Sequence, residues 1–337
     1  MSDQFWHGRR VLITGVNGFL GAWLAQALVE RRAQVFGLDR VPHGALALHQ
    51  DLPGRVELMT ADVTSLHDVQ GVFERSKPHT CFHLAGQSTV EAAGRSPIPT
   101  FEANIVGTWV ILEVARHSES LEGIVMASSN HVYGEQALQP SAEDGPLNGS
   151  SPYAASKACT DIIARCFAQS YGMPVVMART TNTYGGADPH QTHLVTASIL
   201  SLLKGQPPVI QSDGLPVKSY LYVRDAIAGY LLLGEQAARP EVRGNPFNFC
   251  TDTPIDVLGL VNMMIQVAGL TGVTPRILGR SGAGGCHEFL SNERARAVLG
   301  WRPRYSLEAG LRETIEWYRA HEERCSHAPG GHVTVSA

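Results

Sequence analysis

Over the first half of the chain, short apolar runs alternate with stretches whose apolar residues recur at helical spacing. The first run, Val11-Leu12-Ile13, is uninterrupted and is followed by Thr14-Gly15, which is typical of a parallel strand buried on both faces. A helical stretch follows, and a second strand then ends at Asp39. The same alternation predicts strands at 56–59, 80–84, 124–128 and 175–178, and helices at 65–76, 101–117 and 153–171. It predicts an α/β fold in which helices cover a doubly wound parallel sheet.

The alternation stops after Arg179. Residues 180–225 contain turn signals such as Gly185-Gly186 and Pro207-Pro208. Further helices are predicted at 192–204, 224–236, 256–268 and 307–319, with a short strand at 247–249. We therefore predict a sheet domain over 1–180, to which 215–250 partly returns, a smaller C-terminal α/β lobe over 181–325, and a disordered tail over 326–337.

Composition excludes several classes of function. The chain has 337 residues and a formal net charge of −4 with no strongly basic window, which argues against a nucleic-acid surface. The polar start and the lack of a long apolar run predict a soluble, cytoplasmic protein without a membrane segment. Six dispersed cysteines and fourteen histidines show no spacing typical of a disulfide framework or a metal site, so no metal is expected.

Three glycines stand where the first strand should pass into the first helix. Gly15, Gly18 and Gly21 form G-x-x-G-x-x-G, a pattern that permits a tight turn and lets a pyrophosphate approach the backbone at a helix start. A plain packing turn is the alternative. Asp39, at the end of strand two, is expected to accept hydrogen bonds from the adenosine ribose, which indicates a Rossmann-type dinucleotide site. A carboxylate there favours NAD, although Arg40 leaves NADP as the less favoured choice.

Other residues around the strand ends are expected to complete the cofactor site. Asp62 and Val63 would line the adenine, and the loop after strand four would line the second half of the cofactor. The full predicted set beyond the glycines, Asp39 and Arg40 is Asn17, Phe19, Leu20, Asp62, Val63, Leu84, Ala85, Gly86, Gln87, Asn104, Ala127, Tyr153, Lys157 and Thr180.

A second group of residues carries acid–base chemistry. Tyr153 and Lys157 are four residues apart on a predicted helix, hence on one face, where the ammonium can lower the phenol pKa and hold the nicotinamide ribose. Tyr153 is then a usable base for removing a hydroxyl proton as hydride leaves the carbon. Ser128, at the end of strand five, would hold the same hydroxyl. The alternative is a surface Tyr and Lys on an ordinary helix.

Motifs along nearly the whole chain, from about Phe5 to Tyr318, closely resemble those of a known family. They are T-G-V-N-G-F-L-G (14–21), H-L-A-G (83–86), N-I-V-G-T (104–108), S-S-N-H-V-Y-G (128–134), P-Y-A-A-S-K (152–157), R-T-T-N-T-Y-G-G (179–186), Y-L-Y-V-R-D-A (220–226) and L-G-W-R-P (299–303). The set resembles the extended short-chain dehydrogenase/reductases that act on nucleotide sugars, and within them the CDP-glucose 4,6-dehydratases and their GDP-mannose-type relatives. The resemblance implies a tightly held NAD that oxidises C4 of a nucleotide hexose and is then reduced back.

The resemblance also implies roles for individual residues. Ser128, Tyr153 and Lys157 match the oxidation triad, and Arg179, Thr180 and Asn182 match a segment that approaches the nicotinamide and the sugar phosphates. Lys218 stands where relatives usually carry an Arg that contacts the diphosphate, a difference that keeps the charge but loses bidentate geometry. Ser219 replaces the Asp that usually follows. The predicted substrate contacts are Gln87, Ser129, Asn182, His193, Leu194, Lys218 and Tyr220.

Asn130 and His131 depart from the family pattern. Similar dehydratases place an Asp acid and a Glu or Lys base at these two positions, whereas 4-epimerases carry small residues that do not ionise. Asn130 cannot donate a carboxylic proton, while His131 could act as acid or base. The alternative is a His131 that only hydrogen-bonds nearby backbone.

Three hypotheses follow. The missing acid favours 4-epimerisation, which needs only the triad and NAD. Dehydration with His131 as the C5 base, and as the acid too, is the alternative. A non-catalytic NAD or nucleotide-sugar sensor is the third, against which the intact Ser, Tyr and Lys argue.

Two predicted helices also suggest how copies of the chain associate. Ile105 and Trp109 in the helix at 101–117, and Ile162 and Ile163 in the helix at 153–171, offer apolar faces. In the resembling family these helices form the four-helix bundle of a homodimer, which is the partner prediction. The alternative is that the same residues only pack on the sheet.

Overall fold

A computed structural model describes residues 3–42, 44–49, 52, 54–134, 140–280 and 287–321. The strands are β1 Arg10–Thr14, β2 Gln34–Asp39, β3 Val56–Thr60, β4 Thr80–His83, β5 Gly123–Ala127, β6 Val175–Thr180, β7 Asn182–Tyr184, β8 Val209–Ile210, β9 Val217–Lys218, β10 Tyr220–Tyr222, β11 Pro246–Phe249, β12 Ile255–Asp256 and β13 Arg276–Ile277. The helices are α1 Asp3–Trp6, α2 Phe19–Glu30, α3 Leu66–Ser76, α4 Val90–Arg95, α5 Pro97–Phe101, α6 Gly107–Arg116, α7 Pro152–Tyr171, α8 Leu194–Leu203, α9 Val223–Gln236, α10 Val257–Val267, α11 Glu293–Leu299 and α12 Leu307–Ala320.

The central sheet has seven strands in the order β11-β6-β5-β4-β1-β2-β3, all parallel. Side chains along β1 alternate between its two faces: Val11 and Ile13 lie in one hydrophobic cluster and Leu12 lies in the other. Both faces are therefore buried, as the uninterrupted apolar run predicts. The chain winds outward in both directions from β1 and β4, so the switch point of the sheet lies between these two strands. The predicted α/β class, a Rossmann-type sheet, is confirmed.

The second half of the chain returns to this sheet and also builds beyond it. β11 pairs with β6 and α9 packs on β4, β5 and β6. Three short pairs, β7 with β10, β9 with β12 and β8 with β13, lie outside the central sheet. The predicted tail over 326–337 lies outside the described residues.

The helix predicted at 101–117 is interrupted. α5 ends at Phe101, a π-helical turn spans Glu102–Val106, and α6 begins at Gly107. The Asn104 carbonyl accepts hydrogen bonds from Thr108 Oγ1 at 2.6 Å and from Thr160 Oγ1 at 3.1 Å. Side-chain donors that enter the backbone ladder are a known cause of such bulges, and this one orients the Asn104 side chain toward the loop after β4.

Helix α7 carries two of the predicted site residues and has well-defined ends. The Ser151 hydroxyl accepts a hydrogen bond from the Ala154 amide at 3.2 Å, and Pro152 occupies the first turn. Gly172 ends the helix with a φ of 66°, a left-handed conformation that glycine adopts without a steric penalty. These signals fix which face of α7 meets the sheet.

We expect Gly21→Ala to destabilise the fold by about 1–3 kcal/mol, because a Cβ at Gly21 would lie 2.2 Å from the Gly15 carbonyl oxygen. Gly71→Ala is the matched control, since nothing lies within 4 Å of its Cβ position in α3 and alanine favours helix by up to about 1 kcal/mol. Urea unfolding of both variants measures the difference. Equal midpoints would contradict the close approach at Gly21.

Candidate functional site

The glycine turn lies at the switch point of the sheet. Gly15 has a φ of 73°, and a Cβ there would come within 2.8 Å of Ala85 Cα in the loop after β4. The Gly18 amide donates to the Gly15 carbonyl at 3.0 Å, and α2 begins at Phe19. The turn therefore brings backbone N–H groups to the crevice outside the carboxyl ends of β1 and β4, where a phosphate group is favoured. Leu20 packs half-buried against the core.

Asp39 faces this turn. Its carboxylate accepts hydrogen bonds from the Asn17 amide at 3.0 Å and from the Val41 amide at 3.3 Å, which fixes it at the end of β2 with lone pairs left for a ligand. The Asn17 side chain donates to the Val41 carbonyl at 2.5 Å. The exposed Arg40 guanidinium lies 4.0 Å from the Asp62 carboxylate. Asp62 also accepts from the Thr64 hydroxyl at 2.8 Å, and Val63 is buried against Gly107.

The loop after β4 is held by Asn104. Its Oδ1 accepts from the Gln87 amide at 2.8 Å, and its Nδ2 donates to the Ser156 hydroxyl of α7 at 2.8 Å. A Cβ at Gly86 would lie 2.5 Å from Asn104 Oδ1 and 3.8 Å from Lys157 Nζ. The Ala85 amide donates to Thr14 Oγ1 at 3.1 Å. Leu84, Ala85, Gly86 and Gln87 thus form one side of the crevice that the glycine turn enters.

Tyr153 and Lys157 lie on the buried face of α7, as their spacing predicts. Lys157 Nζ donates to the Ala127 carbonyl at 2.9 Å, and burial lowers the pKa of the ammonium to about 8, with Asp161 opposing the shift. Burial raises the pKa of the Tyr153 phenol, and a hydrogen bond with Ser129 opposes the rise. The expected lowering of the Tyr153 pKa is not seen in this structure, where burial outweighs the other effects on the phenol and the Lys157 ammonium is bound to β5.

The two serines after β5 face opposite ways. The Ser128 hydroxyl is buried and makes no hydrogen bond of standard geometry in the described part of the chain. It faces Asp161: burial raises the pKa of that carboxyl, and Arg179 and the Ser128 hydroxyl oppose the rise. Ser129 Oγ accepts a hydrogen bond from the His131 amide at 3.2 Å. The Ser129 side chain also faces the Tyr153 phenol, where it opposes the rise in the phenol pKa. Adjacent residues of an extended backbone point to opposite sides. The geometry therefore favours Ser129 over the predicted Ser128 as the partner of Tyr153.

Arg179 is turned away from any ligand. Its Nη2 lies 2.5 Å from Asp161 Oδ2, and both side chains are at most 1% exposed. Nη1 donates to the Tyr133 hydroxyl at 2.7 Å, which in turn donates to Asn248 Oδ1 at 2.7 Å. The expectation that Arg179 holds an anionic ligand or approaches the nicotinamide is wrong because Asp161 already neutralises it inside the core. Sequence reasoning missed Asp161, although a carboxylate one turn after Lys157 on a buried helix face was a usable signal.

Asn130 and His131 meet a carboxylate from the C-terminal lobe. Asn130 Nδ2 donates to Glu288 Oε2 at 3.3 Å, and His131 Nδ1 lies 3.6 Å from Glu288 Oε1. Lys218 Nζ lies 3.4 Å from Glu288 Oε2, so the predicted diphosphate cation already has an anionic neighbour. The His131 ring also meets the Tyr153 ring edge-on, with centroids 5.6 Å apart. Sequence reasoning missed Glu288, because 157 positions separate it from His131 and no motif surrounds it.

The remaining predicted contacts come from the segments after β6. His193 Nδ1 lies 2.8 Å from Asp188 Oδ2, and although burial opposes protonation, Asp188 raises the pKa of the imidazole overall. Leu194 begins α8 and is half-buried. The Asn182 Nδ2 is buried without a hydrogen-bond partner in the described residues, and Tyr220, opposite Asn182 in the β7–β10 pair, is buried. Thr180 is also buried.

Two kinds of feature are absent from the part of the chain that the structure describes. It contains no group of three or more His, Cys, Asp or Glu side chains arranged to hold a metal ion. None of its helices combines the length and the apolar character needed to cross a membrane.

The chain matches the model of the NAD dependent epimerase/dehydratase family over residues 11–248, and it belongs to that family. It is 31% identical to a UDP-glucose 4-epimerase of Mycolicibacterium smegmatis, over 92% of this chain and 98% of that protein. It is 28% identical to a dTDP-glucose 4,6-dehydratase of Haemophilus influenzae, over 91% and 97%. A crystal structure of the Thermotoga maritima UDP-glucose 4-epimerase with UDP-glucose aligns with a TM-score of 0.84 at 27% identity, over 93% and 99%. Relatives with either activity match nearly the full chain.

We expect Asp161→Asn to destabilise the protein by about 3–5 kcal/mol, because it leaves the buried Arg179 charge without its carboxylate. Glu308→Gln is the control, since its pair with Arg312 is exposed at the surface and such pairs contribute about 0–1 kcal/mol. Denaturant unfolding followed by circular dichroism compares them. A loss for Asp161→Asn no larger than that for Glu308→Gln would refute the structural role of the buried pair.

Proposed function

We propose that this protein oxidises C4 of a nucleotide-diphosphate hexose transiently, with a bound NAD that is restored at the end of each cycle. The observation that carries the proposal is the convergence of Ser129, Tyr153 and Lys157 beside the glycine turn at the carboxyl edge of the sheet. Membership of a family of NAD-dependent epimerases and dehydratases supports it. 4-Epimerisation is the simplest outcome, because it needs nothing beyond these three residues and the cofactor.

The residues present fit NAD. A Cβ at Gly15 or Gly21 would collide with backbone, so the turn leaves its N–H groups open to a pyrophosphate. Asp39 is fixed where a ribose hydroxyl is expected, and Arg40 lies against Asp62, which favours NAD over NADP. When bound, NAD would accept a hydride from the sugar and could give the hydride back. Asp62, Val63 and the loop 84–87 would contact the rest of the cofactor, and Lys157 its nicotinamide ribose.

The chain's own residues handle the proton and the orientation of the sugar. Tyr153 takes the proton of the C4 hydroxyl, and Ser129 hydrogen-bonds the same oxygen. Burial keeps the Tyr153 pKa high in this structure, so positive charge in the crevice, from Lys157 and the oxidised cofactor, is needed to favour the phenolate. Gln87, Asn182 and Tyr220 are proposed to line the hexose, with His193 and Leu194 at the start of α8.

Dehydration is the second candidate, and one observation favours it. A 4-epimerase has no use for an ionisable pair beside C5 and C6, yet His131 lies 3.6 Å from Glu288 and packs on Tyr153. In this reading His131 removes the C5 proton of the 4-keto sugar and returns a proton to the departing C6 hydroxyl.

The deciding assay incubates the purified protein with CDP-, UDP-, GDP- and dTDP-hexoses in heavy water, with products read by mass spectrometry and NMR. Inverted C4 without solvent label supports epimerisation, and deuterium at C5 with loss of water supports dehydration. No turnover and no reduced cofactor with any of these sugars would contradict the proposed function and favour a non-catalytic sensor.

We expect Ser129→Ala to lower kcat about 10- to 100-fold, since it removes a buried hydrogen bond to the reacting oxygen. Ser128→Ala is the matched control and should stay within about twofold, because its hydroxyl faces Asp161. Tyr153→Phe should lose about 10²- to 10⁴-fold. Steady-state rates of the three variants test the assignment; the reverse order for the two serines would return the role to Ser128.

We further propose that the protein is a cytoplasmic homodimer. α6 and α7 pack side by side, and they leave Trp109 and Ile162 exposed by 42% and 56%, more apolar surface than packing on the sheet explains. Cys81, Cys159, Cys166 and Cys250 are free, in keeping with a reducing compartment. The proposed domain bounds remain 1–180 with a partial return over 215–250, and 181–325.

We expect Ile162→Glu to convert the dimer to a monomer, because a charge cannot be buried unpaired in an apolar interface. Leu215→Glu is the matched control: Leu215 is 68% exposed but lies in the loop before β9. Light scattering coupled to gel filtration measures the mass of both. If Ile162→Glu keeps the mass of the parent protein, these helices do not form its interface.

A further inference from the structure

A cluster of four side chains joins the two halves of the molecule next to Tyr153. Asn130 and His131 lie in the short turn after β5, Lys218 ends β9, and Glu288 lies in the segment that follows β13. The Glu288 carboxylate is 3.3 Å from Asn130 Nδ2, 3.4 Å from Lys218 Nζ and 3.6 Å from His131 Nδ1. It is 15% exposed. One carboxylate thus contacts the two residues that depart from the family pattern.

Backbone hydrogen bonds hold Glu288 in this position. Its amide donates to the Val217 carbonyl at 2.9 Å, and its carbonyl accepts from the Ser219 amide at 3.2 Å. The residue is therefore fixed beside β9, and its side chain reaches toward β5 from a rigid support. A side chain that extends from a main chain held on both sides is supported as an acid–base site requires.

We propose that Glu288 is the positioning residue that makes His131 the acid–base group for C5 of the sugar. The carboxylate lies beside Nδ1, which favours the tautomer with its proton on that nitrogen and leaves Nε2 unprotonated to receive one. The carboxylate that similar dehydratases carry at position 130, and that this chain lacks, is then supplied from the C-terminal lobe, and Asn130 serves to orient it. The inference rests on the proposed C4 oxidation, which supplies the 4-keto sugar, and on dehydration as its outcome, because 4-epimerisation alone leaves C5 untouched.

The chemistry balances with these groups alone once the 4-keto sugar is present. Nε2 of neutral His131 takes the C5 proton, the C–H electron pair forms the C4–C5 double bond, and the carbonyl pair moves to O4 beside Ser129 and Tyr153. In elimination, the O4 pair re-forms the carbonyl, the C4–C5 pair becomes the C5–C6 double bond, and the C6–O bond breaks. The proton held by His131 joins that oxygen, which leaves as water.

Burial and two charged neighbours set the protonation of His131. Burial lowers the pKa of the imidazole, Glu288 raises it, and Lys218 lowers it. The Tyr153 ring packs edge-on against the imidazole, and burial raises the pKa of its phenol. Removing the carboxylate should therefore lower the pKa of His131, and removing the ammonium should raise it. Opposite shifts from two neighbours would not arise from a merely structural disturbance.

The test compares E288Q, K218M and the parent protein, with E293Q as the control because Glu293 is exposed on α11 five residues along. Nitrogen-15 NMR of the histidine rings, with His131 assigned from H131N, gives its tautomer and pKa without turnover. We expect a lower pKa in E288Q, a higher one in K218M and no change in E293Q. An unchanged His131 pKa and tautomer in E288Q would overturn the proposal, whether or not the protein oxidises C4 of a nucleotide hexose.

The second arm measures the two chemical steps separately with the nucleotide hexose that the protein turns over. We expect E288Q to slow deuterium exchange at C5 about tenfold or more, with its pH dependence displaced downward, while formation of reduced cofactor in a single turnover stays within about twofold. H131A/E288Q should be no slower than H131A alone. Equal losses in both steps would mean that Glu288 only supports the fold, and would refute its role at His131. Absence of reduced cofactor in the parent protein would contradict the C4 oxidation instead, and the NMR comparison would then decide the role of Glu288.

Discussion

The site depends on the hydrogen bond from Lys157 Nζ to the Ala127 carbonyl at 2.9 Å. An ammonium buried at the edge of a sheet is costly unless its donors are satisfied, and this bond joins the middle of α7 to the last residue of β5. It sets the rotation of α7 against the sheet, so that Tyr153 faces the turn that carries Ser129 and His131. The lowered pKa of Lys157, about 8, reflects the same burial. The contact that fixes α7 on the sheet is thus made by the same ammonium to which we assign a role at the cofactor.

A second buried charge supports the first. One helical turn after Lys157, Asp161 binds Arg179 on β6, and Arg179 reaches Tyr133 in the turn after β5. Helix α7 is therefore fastened to two neighbouring strands by polar contacts in a core that is otherwise apolar. Buried polar groups with satisfied partners restrict packing to one arrangement. Ser128 lies on the Asp161 side of this arrangement, and Ser129, the next residue along the extended backbone, lies on the side of Tyr153.

Residues whose spacing has a geometric meaning could be predicted from sequence. Gly15, Gly18, Gly21 and the i,i+4 pair Tyr153 and Lys157 are where the pattern puts them, because a tight turn and a helix translate spacing into position directly. The choice between Ser128 and Ser129 could not be made that way, since the register at the end of a strand decides which of two adjacent side chains faces the crevice. Arg179 was misjudged because its neutralising partner lies on another element. Glu288 could not be found at all, because its contact with His131 spans the two halves of the chain and depends on how the lobe folds back.

A net charge of −4 is compatible with an anionic substrate only if local groups of the site bind its phosphates. The structure shows which of the predicted cations already have an anionic partner. Arg179 is neutralised by Asp161 and Lys218 lies beside Glu288, so neither is a free positive charge. A carboxylate next to Lys218 also repels a diphosphate that approaches this edge of the crevice. The glycine turn before α2 can present backbone N–H groups to a phosphate, and His193, next to the start of α8, has a pKa that Asp188 raises. Lys218, at the position that the resemblance assigns to phosphate recognition, is paired with the same carboxylate that lies beside His131, so the proposed acid–base role of His131 and a weaker role for Lys218 in anion binding depend on one side chain, Glu288.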